Sequence, residues 1–214
     1  MILVVFVLFR MLLVEDPLRV SGKALMTGST IYSEWVCVKN AKGVTLHERW
    51  VKVDESLKVR MRKGEFEVDC SFEEAIAFIE NYRTIETWMK GIEQITPLTE
   101  NDKMVYVMIN LPWPFSNRDF VARSSSVNVD DNKHVVRFKS ENYHVKHKKG
   151  CVRIKDYSAS WTIERISNHK SKITFTVFSS EPPLFPEWIQ EPVIKNVFLN
   201  NLHRLKKHLS TRIM

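Results

Sequence analysis

The residues of this chain that could do chemistry are few and poorly clustered. His144 and His147 are close enough to suggest a metal pair, but strand residues three apart face opposite sides and no third ligand accompanies them. Cys37, Cys70 and Cys151 permit at most one disulfide, and none belongs to a C-x-x-C pair. With only 6 glycines, the chain contains no G-x-S-x-G elbow, Walker loop or G-x-G-x-x-G. Acyl transfer, phosphoryl transfer and dinucleotide chemistry therefore lack their usual sequence support. What remains is the adjacent charged pair Arg118-Asp119, with Ser124 beyond it. Neighbours in a strand point to opposite faces, so these two cannot simply pair with each other. Either one of them caps a cavity or binds a polar head group, or both are staples that hydrogen-bond the backbone, since buried charges need fixed partners.

The elements that must position these residues follow from periodicity. Glu34 to Lys39, the turn Asn40-Ala41-Lys42-Gly43 and Val44 to Lys52 read as a hairpin. A third strand covers Leu57 to Val68, where Leu57, Val59 and Met61 fall on one parity and Phe66 and Val68 on the other; a bulge near Lys63-Gly64 is expected to re-aim it. The period then becomes helical. Ser71 and Glu74 form a capping box for Phe72 to Tyr82, and a short helical turn is expected over Ile85 to Met89. Strands are expected again over Lys103–Leu111, Phe120–Val129, His134–Val145, Val152–Arg165 and Ile173–Ser180. Pro182 and Pro183 close the last of them.

Phe185 to Ser210 then carries a long helix with Ile194, Phe198, Leu202, Leu205 and Leu209 on one stripe. Ile189, Val193 and Val197 form a second apolar flank in its first half only, and Val193 and Val197 are expected to line an enclosed void in the unliganded protein. Pro192 is expected to start or kink the regular part. The order predicts an α+β domain in which one curved antiparallel β-sheet wraps around a long C-terminal α-helix.

The chain has 214 residues, 44% of them hydrophobic and 27% charged, which excludes collagen-like and low-complexity disordered classes. Residues 1–33 are assigned to an N-terminal extension and 34–210 to the domain. Met1 to Val14 is apolar apart from Arg10: too short to span a membrane, which takes about 20 residues, yet suited to the core of a secretory signal. A basic stretch before it is missing, so an element packed on the domain or an upstream start artefact stands as the alternative. Export to the periplasm is expected if it is a signal, a cytoplasmic location otherwise. The net charge of +7 permits an anionic membrane as a transient partner. Lys146, Lys148 and Lys149 form one basic group, and Arg204, Lys206, Lys207 and Arg212 another. The aromatic residues follow strand and helix periodicity rather than exposed clusters, so nucleic acid is not expected as a partner.

The segment Leu111-Pro112-Trp113-Pro114-Phe115-Ser116-Asn117-Arg118-Asp119-Phe120-Val121 resembles the signature of the START (steroidogenic-acute-regulatory-protein-related lipid transfer) domain. Weaker echoes occur in the right order: Glu34-Trp35, Phe72-Glu73-Glu74, Trp88 and Pro186-Glu187-Trp188-Ile189. The likeness extends from about Glu34 to Ser210 and places the chain in the wider Bet v 1-like, or SRPBCC, helix-grip superfamily. It implies a sheet gripping the C-terminal helix around a hydrophobic tunnel for one lipid-like molecule. Some sterol-binding members set an acidic residue against an arginine inside the tunnel; those positions fall here on Val105 and Ser124, so both charges are missing and a drier tunnel is expected.

Pro112 and Pro114 remove two ladder donors and force the chain across a corner, where Trp113 and Phe115 can pack as plates. The cavity candidates are Trp88, Val105, Val107, Arg118, Ser124, Trp188, Ile189, Val193 and Val197. Trp188 to Val197 and the turn His147 to Gly150 are expected to form the gate. No catalytic residue, metal or cofactor is expected, and the function implied is binding of a lipid or other hydrophobic small molecule for transfer or sensing. The alternative is a helix-grip enzyme, of cyclase/aromatase or hydrolase type, for which Ser124, Asn142, Tyr143 and Arg118 are the inward candidates.

Overall fold

The computed structural model describes residues 25–27, 30–99, 103–111, 115–146, 148–180 and 186–211. Met1–Val14, Pro112-Trp113-Pro114, His147, Pro182, Pro183, Phe185 and Arg212 lie outside them. The first elements among the described residues are strands β1 (Leu25–Thr27), β2 (Thr30–Tyr32), β3 (Val36–Ala41), β4 (Val44–Lys52) and β5 (Lys58–Val68). Helix α1 (Phe72–Glu80), a 3-10 turn at Tyr82–Thr84 and the short α2 (Ile85–Trp88) follow. Seven strands come next: β6 (Ile92–Pro97), β7 (Met104–Ile109), β8 (Asn117–Asp130), β9 (Lys133–Ser140), β10 (Cys151–Arg153), β11 (Tyr157–Ser167) and β12 (Lys170–Ser179). Helix α3 (Glu187–Ser210) ends the fold.

All the strands join one sheet, in the order β1-β2-β4-β5-β12-β11-β9-β8-β7-β6, with β3 also on β4 and β10 on β8. Every pairing is antiparallel except β10 with β8, which runs parallel beyond the point where β9 ends. The sheet takes in residues before Glu34, through β1 and β2. Local chemistry explains the turns and the helix start. Lys42 and Gly43 both have positive φ, 57° and 69°, the backbone of a tight hairpin turn whose twist matches that of its strands. Ser71 Oγ accepts from the Glu74 amide at 3.3 Å while the Glu74 carboxylate accepts from the Ser71 amide at 3.0 Å, so two otherwise unpaired donors are satisfied together.

Several boundaries differ from the sequence expectation. No bulge interrupts β5 against β4: the register runs unbroken from Lys52↔Lys58 to Thr45↔Glu65. Arg62 and Arg60 continue the positions in phase with Gly64 and Phe66, so the apolar parity fails where one face becomes charged. Strand β6 went unread because the register shifts between Ile92 and Gln94, which breaks its alternation. The strand expected over His134–Val145 stops at Ser140, and that expected over Val152–Arg165 divides into β10 and β11. Helix α3 passes through Pro192 without starting there. At that position proline deprives only the Trp188 carbonyl, in the exposed first turn, of its donor.

The core sits between the sheet and two helices. Leu46, Phe66 and Val68 from β4 and β5, Trp161, Ile163, Ile173 and Phe175 from β11 and β12, and Phe72, Ala75, Phe78 and Ile79 from α1 pack in one cluster with Leu199, Leu202, Leu205 and Leu209 of α3. A Cβ added at Gly64 would collide with the Leu202 side chain and the Phe198 ring. Glycine there allows the helix to cross β5 at close range. Asn201 fixes the same half of the helix, accepting from the Lys90 amide at 3.1 Å and donating to the Lys90 carbonyl at 3.0 Å.

Candidate functional site

The first half of α3 does not close onto the sheet as the second half does. Between them lies a cavity of about 380 Å³, whose helix side is built by Gln190, Glu191, Val193, Ile194, Val197 and Phe198. Its sheet side includes Trp50, Arg60 and Arg62 from β4 and β5, Phe120 from β8, Tyr157 from β11 and Phe175 and Val177 from β12. Trp88 and Met89 from α2 and its following residue, with Ile92 of β6, complete the wall. A smaller chamber of about 60 Å³ adjoins it, walled by Ile79, Ile85, Ile95, Val105, Val107, Phe138 and Ala159 among others. Trp88, Met89, Ile92, Phe120, Tyr157 and Phe175 line both chambers and so form the waist between them. The aromatic wall is continuous. Trp88 meets Trp161 edge-on at 5.7 Å, Trp161 stacks on Phe175 at 4.0 Å, and Phe175 on Phe198 at 5.6 Å.

One end of the larger chamber is charged rather than dry. Glu48 of β4 is only 4% exposed and accepts from Arg60 at 3.1 Å and Arg62 at 2.9 Å, with Lys195 of α3 at 3.2 Å. Arg62 Nη2 donates to both carboxylate oxygens of Glu191 at 2.8 Å, and Arg60 reaches Glu187 at 2.8 Å. Three cations and three carboxylates thus tie the first three turns of α3 to β4 and β5. Burial pulls the Arg60 pKa down, but Glu187, Glu191 and Glu48 more than reverse this and hold the guanidinium above its ordinary value. The Arg60 plane also covers the Trp50 ring at 4.3 Å.

Arg118 and Asp119 separate as strand alternation requires. Arg118 lines the larger chamber, whereas Asp119 is fully buried on the opposite side of β8. There its carboxylate accepts from Arg153 at 2.6 and 3.0 Å and from the Tyr106 hydroxyl at 2.9 Å. Asp119 is therefore a staple joining β7, β8 and β10, set among Met104, Met108, Val121 and Cys151. Phe115 reaches the larger chamber as well.

Of the other candidates, Trp88 lines both chambers, Val105 and Val107 the smaller one, and Val193 and Val197 the larger one. Val197 is 40% exposed, so the larger chamber reaches the surface there rather than being sealed. Ser124 lies outside both linings, further along β8, where its amide donates to the Lys103 carbonyl at 2.7 Å. Ile189 is half-buried outside the linings, and Trp188 is 76% exposed. Asn142 and Tyr143, expected inward, are exposed beyond the end of β9. The turn expected to help gate the tunnel sits elsewhere: Lys148 donates to the Met108 sulfur at 3.0 Å, on the Asp119 side of the sheet.

The network of Glu48, Arg60, Arg62, Glu191 and Lys195 escaped the sequence reading. Its signal was present as Arg60 and Arg62 in phase with Phe66, and as Glu187, Glu191 and Lys195 at helical spacing. Tyr157 was missed because it lies where one long strand was expected instead of two. Among the described residues, no cluster of His, Cys, Asp and Glu is arranged to hold a metal, and no helix is long and apolar enough to cross a membrane.

A broad antiparallel sheet gripping a C-terminal helix, with a cavity under that helix, is the helix-grip fold of the StAR-related lipid transfer domains. A StAR-related lipid transfer protein from Xanthomonas axonopodis aligns with TM-score 0.69 at 23% identity, covering 82% of this chain and 98% of that one. Human StAR-related lipid transfer protein 5 aligns with TM-score 0.71 at 14% identity, covering 84% and 88%. No family model matches the sequence. An uncharacterised protein of Pseudomonas aeruginosa is 19% identical over 189 residues, 87% of this chain and 92% of its own length.

Proposed function

We propose that this protein encloses one hydrophobic small molecule beneath α3 and carries or senses it without transforming it. The observation that carries this reading is the cavity of about 380 Å³, with aromatic and aliphatic walls, between the sheet and the half of α3 that the core leaves free. The names of the solved neighbours, lipid transfer proteins, point the same way. The carboxylates in the lining, Glu187 and Glu191, are both committed to arginines, which favours a structural over an acid–base role.

Burial of a chain of a dozen carbons at about 0.8 kcal/mol per methylene gives roughly 10 kcal/mol, enough to offset the cost of ordering. Ligand passes when the first half of α3 lifts, since Val197 already marks where the chamber meets solvent. The exposed Lys146, Lys148 and Lys149 supply attraction to an anionic membrane, about 1 kcal/mol for each side chain near the surface.

Native mass spectrometry and lipid extraction of the purified full chain test the proposal. A bound apolar molecule at near one-to-one occupancy is expected. Repeated recovery of empty protein that also fails to load from lipid vesicles would overturn it.

A further inference from the structure

Two of the residues at the waist carry polar atoms without a hydrogen-bond partner among the described residues. Trp88 is 3% exposed, and its indole Nε1–H is buried with no acceptor among them. Tyr157 leans on Phe120 with ring centroids 4.3 Å apart, and its hydroxyl makes no hydrogen bond with any described residue. Both side chains wall both chambers. Burial alone pushes the Tyr157 phenol well above its ordinary pKa, so it stays neutral and able to donate. A buried donor lacking an acceptor, as Trp88 Nε1 is, costs stability, and placing one in an aromatic wall beside the free hydroxyl of half-buried Tyr157 is understood if the bound molecule supplies the acceptor.

The surroundings restrict what that acceptor can be. Among the described residues no charged side chain lines the smaller chamber, whereas Lys58, Arg60, Arg62 and Arg118, together with Glu187 and Glu191, line the larger one. A carboxylate at the waist would lose its hydration without gaining a counter-charge in the smaller chamber. At about 60 Å³, that chamber holds a small cap and not a chain.

We infer that the ligand is an apolar chain with a neutral oxygen, a carbonyl or ester, close to one end, and that this end enters first. The oxygen accepts from Trp88 Nε1 and Tyr157 Oη at the waist, a methyl-sized cap fills the smaller chamber, and the chain fills the larger one. This assignment rests on the binding role proposed above and adds a ligand class and an orientation to it.

Competition between tridecane, methyl laurate and laurate for the delipidated full chain, read by native mass spectrometry, tests it. Methyl laurate is expected to exceed tridecane about tenfold in affinity, as one or two hydrogen bonds allow, and also to exceed laurate. Trp88→Phe keeps an aromatic ring but removes one donor, and should lower the ratio of methyl laurate to tridecane several-fold; with Tyr157→Phe added, the ratio should come close to one. Tyr157→Phe should lower the ratio several-fold and serves as the test if Trp88→Phe does not fold. Equal binding of tridecane and methyl laurate, a ratio that survives both substitutions, or preference for laurate would overturn the assignment while leaving the binding role standing. Failure of all three probes on the unaltered chain would count against the binding role itself.

Discussion

Asp119 shows how much one residue can settle in this fold. Its carboxylate has no exposed surface, and Arg153 and Tyr106 satisfy it from two other strands. Tyr106 feels the arrangement in return: burial, then the hydrogen bond to Asp119, push its phenol up to about 12. An unfolded tyrosine ionises near about 10. Between these values the unfolded chain releases a proton that the native protein keeps, so stability is intact below pH 10 and falls as pH rises towards 12. The loss is on the order of 2 kcal/mol. Urea unfolding across this range should show a shallower decline for Tyr106→Phe than for the unaltered protein; equal slopes would mean that Tyr106 is not the group responsible. The opposite facings of Arg118 and Asp119 were legible from alternation alone. The partners of Asp119 were not, because Arg153 comes from a three-residue strand paired in parallel, a contact that local periodicity does not encode.

Helix α3 is two elements in one. Its second half is held by burial of Leu199, Leu202, Leu205 and Leu209 and by the Asn201–Lys90 clamp, its first half by ion pairs over a cavity. The sequence displayed this division as an apolar flank, Val193 and Val197, that stops midway. What it concealed was that the facing strand carries arginines inward, because an arginine at an inward strand position reads as a surface residue until its carboxylate partners are known. Two substitutions test the first half. Val193→Trp should occupy the chamber and reduce ligand capacity while the thermal midpoint changes little; a loss of about 1 to 3 kcal/mol with unaltered binding would mean that Val193 is ordinary core. Glu191→Gln removes the carboxylate that Arg62 Nη2 holds and should cost about 1 to 3 kcal/mol, with faster release of a fluorescent lipid in stopped-flow measurements. Unchanged release would show that the ion pairs do not govern opening.

For the whole molecule, the order of strands and helices and the enclosing architecture could be read from periodicity, turn chemistry and one family-like segment. Strands β1, β2 and β6 could not: the first two are three residues each, too short for a period, and the third has its alternation broken by a register shift. The charged end of the cavity, hidden for the same reason as the inward arginines, makes the two ends of the gripped helix answer to different solvents. Salt screens the half-exposed pair of Arg60 with Glu187 more than the buried contacts of Glu48, while burial of leucine escapes such screening. Ionic strength should therefore act as a throttle on the lid and leave the fold alone. Ligand release should quicken as sodium chloride is raised, with little change in the global unfolding midpoint, and a release rate flat across salt would refute the division. A cover fastened by charge over a body fastened by leucine would let the surrounding ions tune the opening without touching the rest of the molecule.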